Sequence, residues 1–278
     1  MSELALAPLR HGPFAGHLAP EVIAAYAAAT GDQTAAVLAG RAVPAVFPVI
    51  LVFTPQEAAR ADVPEPVWQH VRGGVHGEHD IVLHRPLVPG ESLETSSWIS
   101  AVRTVRSGTQ IVVQFEQVGS DGSVAVEQWW TMVLLGLHGV ADLGTMPSDH
   151  RFPDDVRAHP VGSAIHHVDK RMAHRYAEVS GDWSAHHFDI EVARAAGFDL
   201  VFTHGLCTLA ICTHRVLGLL GVDDPGRVAR VAVRFASPTP LDDELTVNAY
   251  GIDQNSFAFE ATSRGVATIT HGRLELRP

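Results

Sequence analysis

An aspartate and a histidine lie five positions apart in SGDWSAHHFD, residues 180–189, a run with almost no apolar content. A carboxylate and an imidazole can together take a proton from water and return it elsewhere. An imidazole titrates near pH ~6.5, and a carboxylate can hold or share the same proton. On a regular helix or strand, Asp182 and His187 would point away from each other, so their convergence needs an irregular segment. Gly181 and Ser184 favour a turn there, and Asp189 reads as the N-cap of a short helix, IEVARAA, that Gly197 would close. Further on, AGFDLVFTHGLCT puts His204 and Gly205 where a long helix begins. The first N–H groups of such a helix have no helical acceptor and carry the positive end of its dipole. Gly205 lets a ligand approach that backbone closely. Aspartate, histidine and a free helix start are the parts needed for proton transfer beside a developing oxyanion.

The elements that must position these residues occur twice. A shift of 150 positions aligns YAAATGDQTA (26–35) with YAEVSGDWSA (176–185), and HRPLVPGESLET (84–95) resembles SPTPLDDELTV (237–247) at a similar offset. The first copy keeps Gly31 and Asp32 but has Val37 where the second has His187. Each unit reads as a polar turn, a helix and then several strands. In the second, HGLCTLAICTHRVLGLLGV (204–222) has apolar side chains at helical spacing and Gly221 to end it. In the first, AVPAVFPVILVFTPQEAA (42–59) is apolar, but its prolines leave the helix start open. The strands that follow are separated by PG, SG and DG turns. A long apolar helix followed by antiparallel strands predicts an α+β fold with a sheet wrapped around the helix. The expected division is a first half at 1–137, a Pro/Gly/Asp-rich linker at 138–165 and a second half at 166–278.

Bulk composition narrows the function. With 46% hydrophobic and 18% charged residues over 278 positions, the chain has ample core. Its net charge of −11 argues against nucleic acid or an anionic membrane as the main partner. No apolar run approaches the ~20 residues of a membrane span, and no signal peptide is expected. Cys207 and Cys212 fall on different faces of one helix, so a disulfide is not expected and a reducing cytoplasm is. There are 17 histidines, but His76/His79, His166/His167 and His186/His187 lack a third ligand at a familiar spacing, so no metal and no cofactor is expected.

YAEVSGDWSAHHFD, AAGFD and THGLCT together resemble the hydratase motif of the MaoC-like enoyl-CoA hydratases and dehydratases, of the enoyl-CoA hydratase 2 type. The close match covers about residues 175–217, and the duplicated layout extends it to most of the chain. The resemblance implies a double hot-dog, with two antiparallel sheets each wrapped around a long central helix. It implies reversible hydration of a trans-2-enoyl thioester to the (R)-3-hydroxyacyl thioester, on CoA or a carrier protein. Asp182 and His187 fall on the catalytic pair, and Gly205 on the residue whose N–H polarises the thioester carbonyl. Ser184, Phe202, His204 and Tyr176 are the expected substrate contacts. The first half is expected to accommodate the acyl chain, and the protein to act as a homodimer. The motif departs from the family at Ser184, Ala185, His186, Ile190, Val201 and Phe202, all beside the expected site. Two other readings stay open: a non-catalytic acyl-thioester-binding subunit of a hetero-oligomer, and a hot-dog thioesterase. A metal enzyme has only the histidine count behind it.

Overall fold

A computed structural model describes residues 5–278; residues 1–4, with which the expected first half begins, lie outside the described residues. The first half runs β1 (His11–His17), α1 (Pro20–Thr30), α2 (Ala35–Leu38), α3 (Phe53–Arg60), α4 (Glu65–Trp68), β2 (Gly73–Leu83), β3 (Ser92–Val105), β4 (Gly108–Gly119) and β5 (Val124–Leu135). After the two-residue β6 (Leu143–Gly144), the second half repeats the plan with β7 (Pro160–Val168), α5 (Met172–Ser180), α6 (Ile190–Ala195), β8 (Phe202–Thr203) and α7 (Gly205–Leu219). It ends with β9 (Val228–Phe235), β10 (Thr239–Pro240), β11 (Asp243–Gly251), β12 (Ser256–Ser263) and β13 (Val266–Leu276).

The two halves share one sheet. Its strand order is β1-β3-β4-β5-β2-β9-β13-β12-β11-β7, so each half reads inward from its edge in the same way. The join is the antiparallel pair β2–β9, with Glu78 opposite Arg234 and Val82 opposite Arg230. Arg230 grips Asp80 across this seam through two hydrogen bonds, of 3.0 and 2.6 Å. The expected linker is partly structured. Leu143 and Gly144 pair with β3, and residues 160–165 already belong to β7, the edge strand beside β11.

Helix α7 has Leu209, Ile211 and Cys212 fully buried, because the curled sheet covers it and the facing half closes over it. One apolar cluster runs from Tyr26, Phe47 and Ile81 to Tyr176, Leu209 and Val231, which makes the core continuous between the halves. Both cysteines are buried and free. The first half differs from the second at its centre. Where α7 is unbroken, the first half has a 3-10 turn, Phe47–Leu51, and then the eight-residue α3. Pro48 and Pro55 lack the N–H that a continuous helix would use, and that divides the segment.

The repeated turns survive as backbone. Gly31 (φ 67°) and Gly181 (φ 78°) both end a helix in the left-handed region that a side chain disfavours. Asp32 accepts from Thr34 N at 2.8 Å as Asp182 accepts from Ser184 N at 3.1 Å. Beyond the turn the copies part: Val37 is buried in the core, where it closes the first copy with an apolar contact.

Candidate active site

Residues 181–184 are irregular, and a single 3-10 turn, Ala185–His187, follows before Asp189 caps α6 through Glu191 N and Val192 N. That irregularity brings Asp182 and His187 to one place. One ligand-type atom each of Asp182, His187 and His204 lie within 4.8 Å of one another. His187 Nδ1 lies 3.0 Å from the Phe202 carbonyl, which can only accept, so Nδ1 carries the proton and Nε2 presents a lone pair. His204 Nε2–H likewise donates to the main-chain carbonyl of Asp182 at 2.9 Å. Asp182 Oδ1 accepts from both the N–H and the hydroxyl of Ser184, at 3.1 and 2.5 Å.

A cleft of about 1030 Å³ opens in front of these groups. It is lined by Asp182, Ser184, His187, Phe202, His204 and Gly205 on the second half. On the first half its wall includes Val63, Ile99, Ile111, Val113, Trp130 and Met132. Gly205 is the first residue of α7, and no side chain caps that helix start. Its N–H and that of Leu206 therefore have no helical acceptor. A Cβ at Gly205 would lie 3.2 Å from the Phe235 ring, so glycine leaves room there.

Of the expected substrate contacts, Ser184, Phe202 and His204 line the cleft and Tyr176 does not. Tyr176 is fully buried behind His204, its ring 5.0 Å from the imidazole, and 6.0 Å from its counterpart Tyr26. It supports His204 from the core side. His186 was not among the expected site residues, yet it lines the cleft with its ring 4.1 Å from that of His187. Its position as a departure from the family motif was the available signal. Asp182, His187 and His204 could also hold a divalent ion, a grouping that sequence spacing did not bring out because His204 lies 22 residues from Asp182.

Burial, and then repulsion from His204 and His186, pushes the His187 imidazole down to about 3, against the pull of Asp182. His204 and His186 are lowered too, chiefly by burial. The site therefore holds neutral imidazoles beside one carboxylate. Burial also holds His79 down to about 4. The unfolded chain takes up protons on these histidines below pH ~6.5 while the native chain does not, so acid favours unfolding. Each of His79 and His187 should remove on the order of 1 kcal/mol of stability per pH unit between roughly pH 6 and 4. His150 acts in the opposite sense, since the nearby Glu78 carboxylate and a hydrogen bond to the His271 carbonyl raise it despite its burial. Urea unfolding at pH 7 and pH 5 checks the balance: the lower pH should give the smaller free energy, with the decline starting near pH 6.5, above the carboxylate range. Equal stability at both would mean these rings are solvated.

Residues 152–271 match the model of the MaoC like domain family. The second half is a MaoC-like domain. Relatives of the chain include the 3-hydroxyacyl-thioester dehydratases Y and X of Mycobacterium tuberculosis. The first is 29% identical over 169 residues, covering 59% of this chain and 57% of that protein. The second is 27% identical over 224 residues, covering 80% of this chain and 73% of that protein. The peroxisomal multifunctional enzyme type 2 of Mus musculus is 25% identical over 166 residues, 59% of this chain but 22% of that protein. The chain thus matches only part of the length of the mouse protein and of dehydratase Y. Among solved structures, a MaoC-like dehydratase from Phytophthora capsici superposes with a TM-score of 0.83 over 98% of this chain and 96% of that one, at 20% identity. A Mycobacterium tuberculosis protein described as a double hotdog fold gives 0.62 over 98% and 96%, at 13% identity. The chain has the double hot-dog fold, its two halves joined edge to edge in one sheet.

Proposed function

We propose that the protein hydrates trans-2-enoyl thioesters reversibly to (R)-3-hydroxyacyl thioesters, as a hydro-lyase. The observation that carries this reading is the convergence of Asp182 and His187 at the start of α7, with unpaired amides at Gly205 and Leu206 beside them. Water held between the Asp182 carboxylate and Nε2 of His187 loses a proton to the pair as its oxygen adds to Cβ of the alkene. The carbonyl oxygen takes up the developing enolate charge and receives the Gly205 N–H. The pair then returns the proton to Cα. Asp182 offsets the cost of a transient imidazolium that burial otherwise penalises, so the two act as a coupled unit. Dehydration runs the same steps in reverse.

In the same reading, residues 166–278 carry the chemistry and 1–137 hold the acyl chain, with 138–165 connecting them. The apolar first-half wall supports this division. The proposed substrate is a CoA or carrier-protein thioester, and the proposed state a cytoplasmic homodimer. Two free cysteines fit a reducing compartment, and no helix among the described residues is long and apolar enough to cross a membrane.

The test offers purified protein a short trans-2-enoyl-CoA and follows the conjugated alkene and free thiol together. Loss of alkene without thiol is the expected result. Release of thiol would make the protein a thioesterase. Calorimetric binding of the thioester without reaction would make it a non-catalytic subunit.

A further inference from the structure

His76 interrupts the apolar wall of the cleft. Its ring stacks on Trp130 at 4.1 Å and 13°, and lies 4.7 Å from the ring of Phe235. Phe235 is also the ring against Gly205, so one aromatic side chain separates His76 from the proposed oxyanion site. His76 and His79 are three residues apart and would face opposite sides of a regular strand. An extra residue corrects this. Met132 pairs with His76 and Thr131 with Glu78, which leaves Gly77 as a bulge in β2 and turns both histidines inward.

Behind His76 runs a buried hydrogen-bonded chain whose direction is fixed at its far end. The Pro48 carbonyl can only accept, so Gln117 Nε2 donates to it at 3.3 Å. Gln117 Oε1 then accepts from Gln128 Nε2 at 2.9 Å. Gln128 Oε1 is left to accept from Nε2–H of His79 at 3.0 Å. Neutral His79 therefore accepts at Nδ1, from Nε2–H of His76 at 3.2 Å. Burial keeps both imidazoles neutral, His79 down to about 4 and His76 well below its ordinary value. His76 is left with Nδ1 as a bare acceptor. No side chain among the described residues hydrogen-bonds to that atom, and it is not one of the sealed unpartnered atoms. The open space that His76 lines is the cleft.

A fully buried relay of Gln117, Gln128 and His79 is costly to place in a core unless every member is satisfied. Here all are, and the relay spends its order on presenting one acceptor to the acyl side of the cleft. We propose that His76 selects substrate: its Nδ1 accepts a hydrogen bond from a hydroxyl on the acyl chain, so the enzyme prefers 2-enoyl thioesters hydroxylated several carbons beyond the alkene. This rests on the reading of the cleft as an acyl-thioester site.

The experiment compares kcat/KM for trans-2-octenoyl-CoA and its 6-, 7- and 8-hydroxy analogues. Wild type is expected to favour at least one hydroxylated isomer by about tenfold, the scale of one neutral hydrogen bond. His76→Phe keeps a ring on Trp130 without the acceptor and should erase or invert that ratio. Should that variant not fold, His76→Met reads the same ratio. A wild-type ratio at or below one for all three isomers, or a ratio unchanged by the substitution, overturns the proposal. If no alkene is consumed at all, the hydration reading fails instead. The preference is then read from the calorimetric Kd of the hydroxyoctanoyl-CoA isomers against octanoyl-CoA, where equal values overturn it.

Discussion

Asp182→Asn and His187→Asn are each expected to lower kcat for enoyl-CoA hydration by about 10³, within the range that positioned acid–base groups contribute. The choice of asparagine isolates the chemistry in both cases. At 182 it keeps an oxygen to accept from the N–H and hydroxyl of Ser184, so the turn retains its bonds. It replaces the other oxygen with an amide that cannot take a proton. At 187 the amide nitrogen stands near where Nδ1 stood and can still donate to the Phe202 carbonyl, while Nε2 is gone. Neither substitution leaves a buried partner stranded, so loss of activity with an unchanged thermal midpoint reads as loss of proton transfer. KM should move little. The double variant should be about as slow as either single one, because two groups that handle one proton fail together. Steady-state alkene loss measures all three. Single variants that keep more than a tenth of wild-type kcat would remove the pair from the mechanism, and multiplicative losses in the double variant would make the two groups independent.

The backbone of the candidate site is legible in the sequence because its geometry is local. Gly181 in the left-handed region, Asp189 as a cap and Gly205 at a helix start are decided by a stretch of 25 residues, and turn and capping chemistry act at that range. Apolar spacing showed α7 for the same reason. What lay outside reach depends on partners far along the chain. Edge strand β1 carries Gly12, Pro13 and Gly16, residues that disfavour a strand locally, and β7 begins inside a stretch that its proline and glycine make look like linker. Pairing with β3 and β11 is what makes them strands. Tyr176, an expected substrate contact, is turned by helical phase into the core behind His204. The first-half wall of the cleft, from Val63 to Met132, lies roughly 50 to 120 positions before the motif. The bulge at Gly77 that aims His76 inward exists only relative to β5.

Gly205→Pro is expected to turn over about 10²–10³ more slowly than Gly205→Ala, the usual cost of deleting one oxyanion donor. The pair separates the donor from the shape. Proline is tolerated at the first position of a helix, because the N–H it lacks has no helical acceptor there. His204, the residue before it, already has φ −61° and ψ 142°, the extended conformation that a following proline requires. Both substitutions add a Cβ about 3.2 Å from Phe235, so the ring must give slightly in each and that strain cancels between them. What remains is the missing hydrogen, together with the proline Cδ standing in its place. A purely steric obstruction by Cδ would raise KM; loss of the donor acts on kcat, because the enolate oxygen takes up charge only as the reaction proceeds. Circular dichroism should find the two variants equally folded. Equal kcat in both would take the carbonyl away from Gly205 and hand it to the next free amide, Leu206. A donor at that position would place the reacting carbon deeper along α7, and His187 would then face the alkene from a different side.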